Sequence, residues 1–262
     1  MKKVFETLAI ILLIVTAITL IALQTKPLGF YILAIGAITT LFSNTKFRKD
    51  ILLIYVSLAI LGVTPITTDI SIVHMFQMGT ALILAVAIPY IVSRFVYKDY
   101  NVRFPWHHGR SWYKSEIWYI IITATIAYFL LPFMLRSSGA YTNWTVDPGV
   151  ENLTRLFIGT NALGIWDELF FVSTVLALLR KHLSFPIANM TQAVLFTSFL
   201  YELGFRGWCF PVIFIFALIQ GYIFKKTESL LYVITIHLIF DLILYLVLIY
   251  LYHPKWIPIF IT

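Results

Sequence analysis

Five side chains draw attention because they are ionisable and lie in otherwise apolar runs. Asp167 and Glu168 sit in Ile165-Trp166-Asp167-Glu168-Leu169-Phe170-Phe171. Glu202 sits in Phe199-Leu200-Tyr201-Glu202-Leu203-Gly204, and His237 and Asp241 in Ile236-His237-Leu238-Ile239-Phe240-Asp241. If those runs cross a bilayer, a central Asp costs about 2.5–3.5 kcal/mol to insert. Five such groups in three segments are poorly explained by neutral drift. The default reading of an intramembrane ionisable residue is a functional site facing a cavity.

Two adjacent carboxyl groups in low dielectric can hold a shared proton and accept another from water, as a general base must. That is the chemistry open to Asp167 and Glu168. His237 and Asp241 are four positions apart and share one helix face, so the carboxylate can fix the imidazole tautomer. The imidazole can then bind a water or, when protonated, support a tetrahedral oxyanion. The same groups also suit a polar network that merely locks helices together, or a proton-coupled transporter. No cofactor is expected. One His and several acids match no usual three-ligand zinc set, and a zinc site would need His237, Glu202 and Glu168 to converge. The single cysteine, Cys209, excludes an intrachain disulfide and a cysteine-based zinc site.

The elements that must carry these residues follow from composition. Of 262 residues 60% are hydrophobic and 12% charged, and the mean hydropathy is +0.90. A soluble domain carries roughly a quarter charged residues, so a water-soluble globular enzyme is excluded. The net charge of +7 would suggest nucleic acid on a soluble protein, but here membrane topology accounts for it, and no nucleic-acid partner is expected. A membrane helix needs about 20 mostly apolar residues. Nine stretches qualify, roughly 4–23, 28–43, 51–67, 70–97, 117–135, 152–180, 185–204, 208–224 and 229–251. The expected fold is an all-α, polytopic transmembrane bundle of about eight or nine spans. Asn161 and Gly164 are candidates to split the sixth stretch, Pro89 to kink the fourth, and Pro186 to open the seventh.

Lysine and arginine test the topology, because they accumulate on the cytoplasmic side. With the N-terminus inside and alternating spans, 14 of the 19 Lys and Arg fall inside. The first apolar run, with Lys2 and Lys3 before it, imitates a signal peptide but is long and lacks a clear cleavage site, so it reads as an uncleaved span. The loop 98–116 is basic and aromatic, with Trp106, His107, His108 and Trp112 suited to anchor at the interface. His74 and Gln77 fall near the outer end of the fourth stretch, where water reaches them.

Depth follows from the helical rise of 1.5 Å per residue. Counted from Arg180, Glu168 lies about 18 Å deep, Asp241 lies about as deep from Ser229, and His237 is about 6 Å nearer the cytoplasm. Glu202, counted from Phe185, lies about 26 Å along its helix, close to the outer surface, unless the interface falls near Asn189 and Gln192.

An acidic pair on one helix, F…H on the next and HxxxN or HxxxD on a third resembles the CAAX protease and bacteriocin-processing family (CPBP, or Abi). That family includes type II CAAX prenyl endopeptidases and the lysostaphin resistance protein A-like group. The resemblance covers roughly 152–251. EExxxR falls on Asp167 to Val172, with Asp for the first Glu and Val172 where Arg is expected. The second motif falls on Ser198 to Glu202, with Glu202 where His is expected. The third is intact as His237 to Asp241, and the segment Gln220 to Leu230 before it is also similar.

The resemblance implies accessory transmembrane helices over 1–116 and an intramembrane protease core over 117–262. It also implies a glutamic-type endopeptidase acting on a membrane-associated, prenylated or hydrophobic peptide. Asp167 or Glu168 would activate water, His237 and Asp241 would position it or support the oxyanion, and Glu202 would be a further acid. The implied partners are the bilayer and a membrane-embedded peptide or protein, and the implied location is multi-pass in a prokaryotic plasma membrane. The altered motifs also suit a non-cleaving relative that binds a partner in envelope maintenance or bacteriocin immunity.

Overall fold

The computed structural model describes residues 1–106, 109 and 111–260. Among these residues there are helices and turns but no strands. The helices are α1 Lys2–Ala22, α2 Lys26–Leu41, α3 Thr45–Val63, α4 Ile72–Tyr97, α5 Lys114–Ser138, α6 Val150–Leu179, α7 Phe185–Glu202, α8 Cys209–Thr227 and α9 Leu230–Tyr252. They match the nine apolar stretches in order. Six of them, α1, α4, α5, α6, α8 and α9, are long and apolar enough to cross a membrane by length and composition. α2 is apolar but shorter. α3 opens with Lys46, Arg48, Lys49 and Asp50. α7 carries Asn189, Thr191 and Gln192, all buried inside the protein.

Helix ends follow local chemistry. Asn44 caps α3 by accepting from Lys46 N, and Ser229 caps α9 by accepting from Tyr232 N. Both side chains satisfy an amide that the first turn leaves unpaired. Pro186 lies in the first turn of α7, where its missing N–H costs nothing. α6 does not split at Asn161 or Gly164. It runs on for 30 residues and widens to a π-helix over Glu168–Val175. Asn161 stays helical because its side-chain amide donates back to Phe157 O.

The packing places α7 against α8 and against the last turns of α1, while α9 lies between α5 and α6. α1 and α2 pair closely, and α3 packs on α2 and α4. Ile117, Ile121, Phe129 and Phe133 of α5 point outward, as expected for a lipid-facing side.

Loop contacts agree with the alternating path. On the basic side, Asn101 of the α4–α5 loop and His182 of the α6–α7 turn both reach Asp50 at the start of α3. On the opposite side, Thr68 donates to Asn143 O, Gln24 to Ile66 O and Tyr252 to Trp144 O. Trp106 is exposed and Trp112 packs edge-on against Tyr232. His107 and His108 lie outside the described residues. His74 is a correction: it is buried, 8% exposed, and bonds Thr67 through Nε2, because the α3–α4 loop folds over it.

Candidate active site

α6 and α9 bring four of the five singled-out residues together. His237 is the hub. Its Nδ1 lies 2.8 Å from Glu168 Oε1, while Nε2 lies 3.8 Å from Asp167 Oδ2 and 3.9 Å from Asp241 Oδ1. Asp167 and Glu168 are sequence neighbours, yet each meets a different edge of the imidazole. The π-helical turn begins at this pair; such widened turns are frequent at functional sites.

Glu168 is fully enclosed. Its Oε1 also accepts from Gln220 Nε2 of α8 at 2.9 Å, and the same amide donates to Val233 O at 3.2 Å. Gln220 thus ties α6, α8 and α9 together behind the histidine. It was legible only as part of the family-like segment; a buried amide in an apolar helix was the signal available. Phe216 packs edge-on to His237 with ring centroids 5.3 Å apart, and Phe196 of α7 lies 6.0 Å away. With the ring hemmed in on its flanks, its orientation is set by Nδ1 and Glu168.

Gly164 makes the arrangement possible. A Cβ there would overlap the Asp241 carboxylate. The glycine is therefore needed for close approach of α9 to α6, rather than as a break in the helix.

Asp167, His237 and Asp241 all line one cavity. Its other walls are apolar, including Leu131 and Met134 of α5, Leu200 of α7 and Ile213 and Phe216 of α8. The polar groups cluster at one end, and the cavity runs from there toward the face poor in lysine and arginine, where Trp144 and Phe205 border it. Asp167 Oδ1, Glu168 Oε2 and Asp241 Oδ2 are buried without a hydrogen-bond partner among the described residues. Buried polar atoms usually have partners, so three orphaned carboxyl oxygens in one cluster require an explanation. The separations of 3.8 and 3.9 Å from Nε2 are too long for direct hydrogen bonds and suit a small polar group between them.

Glu202 does not join the cluster. It lies at the end of α7, half-buried, and its carboxylate pairs with Arg206 at 3.2 Å. One turn earlier, α7 presents Phe196 and Leu200 toward the cavity region, so apolar groups occupy the side where a second-motif donor would act. The three-ligand set of His237, Glu202 and Glu168 is therefore not assembled. Asn189 and Gln192 are both buried inside the protein and donate to carbonyls of α8. Val172, at the arginine position of the first motif, is buried among Phe224, Leu230 and Val233.

Residues 149–243 match the family model described as Rce1-like, type II CAAX prenyl endopeptidase Rce1-like. No curated protein and no solved structure matches the chain. The matched stretch begins at the entry to α6 and ends inside α9, so it contains the whole acid–histidine cluster and leaves α1–α5 outside. The stretch from the start of α6 into α9 is thus similar to the CAAX protease family, in its Rce1-like group.

Proposed function

We propose that this chain is an intramembrane endopeptidase that hydrolyses a peptide bond of a membrane-associated or hydrophobic peptide. The observation that carries the reading is the pair of carboxyl groups of Asp167 and Asp241, each with one oxygen 3.8 or 3.9 Å from His237 Nε2 and the other without a partner among the described residues, at one end of an apolar cavity. A polar network that only held helices together would satisfy its own donors and acceptors.

The geometry divides the work among the acids. Asp167 faces the cavity and takes a proton from water as the water oxygen bonds to the scissile carbonyl carbon. The carbonyl oxygen becomes an oxyanion and accepts from Nε2–H of a doubly protonated His237. Nδ1–H donates to Glu168, which fixes the ring without touching substrate, so Glu168 is a positioning residue in this scheme. Asp241 holds the water from the other side. The C–N bond then breaks, and Asp167 returns its proton to the leaving nitrogen. One water is consumed, and a carboxylic acid and an amine are released.

The apolar lining suits a substrate segment drawn from lipid. A prokaryotic plasma membrane is part of the same proposal, with a hydrophobic peptide rather than a strictly prenylated one as substrate. The test is unbiased profiling of protein termini in the native host carrying wild type, Asp167→Asn, Glu168→Gln or His237→Ala at matched membrane levels. Termini that appear with wild type and vanish in all three variants are expected. Identical profiles across the four would overturn the reading.

A further inference from the structure

A second cavity lies on the other side of the outer half of α6. The α3–α4 loop and α4 form one wall, with Thr67, Asp69, His74 and Met78, and α6 forms the other. These α3–α4 parts lie outside the matched family stretch. Trp144, Thr160 and Leu163 border both this cavity and the one that holds Asp167 and His237. The two spaces are therefore neighbours with a shared partition.

Trp144 supplies an independent observation. It is 5% exposed, and its indole Nε1 has no acceptor among the described residues. Its backbone is well held: the amide donates to Tyr141 O at 3.0 Å and the carbonyl accepts from Tyr252 at 2.5 Å. Thr160 on the same partition donates its hydroxyl to Leu156 O at 3.0 Å, and no hydrogen bond joins it to the indole. By contrast, the indole of Trp166 on α6 donates to Leu82 O of α4 at 2.8 Å. A fixed, buried, unpaired donor between two cavities is the arrangement expected for a group whose acceptor arrives with a ligand.

The second cavity carries one carboxylate at its rim. Asp69 is exposed at its rim, with Ser71 N donating to Oδ1 at 2.8 Å and Ser71 Oγ to Oδ2 at 3.0 Å. The Ser71 backbone N–H in particular holds the Asp69 carboxyl below its ordinary range. His74 is tied to Thr67, and on the neighbouring turn of α6 Arg155 and Glu151 pair at 2.8 Å and offset each other.

We propose that the second cavity is the outer compartment of one substrate groove, that it takes an ammonium or guanidinium group of the peptide beside Asp69, and that the Trp144 indole N–H donates to a peptide carbonyl between the compartments. The identity of the occupant rests on the hydrolase reading; the groove and its charge preference do not depend on turnover.

The experiment uses the full chain in lipid nanodiscs, with Asp167→Asn as the common background so that binding is read without cleavage. The probes are N-acetylated leucine–alanine peptides carrying a neutral dye and one central lysine, norleucine or glutamate, followed by fluorescence anisotropy. The lysine peptide is expected to bind about tenfold tighter than the norleucine peptide. Asp69→Asn removes that preference and leaves norleucine affinity unchanged, while Asp69→Lys turns the preference toward glutamate. Trp144→Phe weakens lysine and norleucine peptides alike. Equal binding of the three peptides, or a lysine preference that survives Asp69→Asn, would overturn the proposal; because Asp69 is exposed, this arm stands whether or not Trp144→Phe folds. If termini profiling shows no cleavage but the Asp69-dependent preference holds, the groove stands and the hydrolase reading falls. If cleavage is found without the preference, the groove proposal falls alone.

Discussion

Two acid–histidine groupings among the described residues are built differently. At the basic face, His182 Nε2 lies 2.6 Å from Asp50 Oδ2, and Asp50 Oδ1 accepts from Asn101 at 3.0 Å. Ser93 and Asp99 complete the node by bonding each other and the Asn101 amide. Both Asp50 oxygens are satisfied. In the core, His237 meets three acids, two of them only at 3.8 and 3.9 Å, and Asp167, Glu168 and Asp241 each keep an oxygen without a partner. A closed polar node holds elements together and has nothing left to offer. An open one beside a cavity carries a stability cost that a reacting or bound group can relieve.

That contrast can be broken from either side. The largest effect is expected for Asp167→Asn: hydrolysis of a quenched hydrophobic peptide in bilayers falls about a thousandfold, while the thermal unfolding midpoint does not drop. Asp50→Asn should show the reverse. Breaking a buried pair by removing one charge costs about 3 kcal/mol, read as a lower unfolding midpoint, with turnover per folded molecule kept. If Asp50→Asn instead abolished turnover in folded protein, the basic-face node would be part of the site and the comparison would fail.

Gly164→Ala sharpens the core side. The new Cβ displaces the Asp241 carboxylate, and displacement of a group by about 1 Å can cost about a hundredfold in rate. Turnover should fall by that order while Asp50 and His182 stay paired. The smallest effect belongs to Glu202→Gln. Its bond to Arg206 is a partly exposed i,i+4 pair, worth at most about 0.5 kcal/mol, and turnover should be unchanged. A large loss there would return Glu202 to the reacting group.

Much of this was legible before any coordinates. The nine apolar stretches became nine helices in the same order, and the depth arithmetic put Glu168, His237 and Asp241 at compatible levels. The His237–Asp241 spacing needed only the helical period. Glu202 was ambiguous on depth alone, since the answer turned on where α7 enters the membrane. Gly164 read as a helix breaker because its reason, the Asp241 carboxylate, lies on another helix. Asp50 and His182 were passed over because each stands in a polar segment where a charge is unremarkable; their pairing spans 132 positions.

By itself, the sequence determined the apolar surroundings, the order of the helices, the alternation of basic loops along the chain and the presence of costly ionisable groups in two of the candidate spans, α6 and α9. These follow from rules that act along the chain: backbone groups in lipid must be satisfied within their own helix, and each buried charge costs energy where it stands. Only the tertiary structure decided which of those groups meet, that Glu168 sits behind His237 while Asp167 faces the cavity, and that Trp144 divides two spaces. A helix that is apolar all round carries little record of which face turns inward. Its rotation and tilt are chosen by close packing against neighbours, through contacts such as Gly164 under Asp241 and Gln220 across three helices.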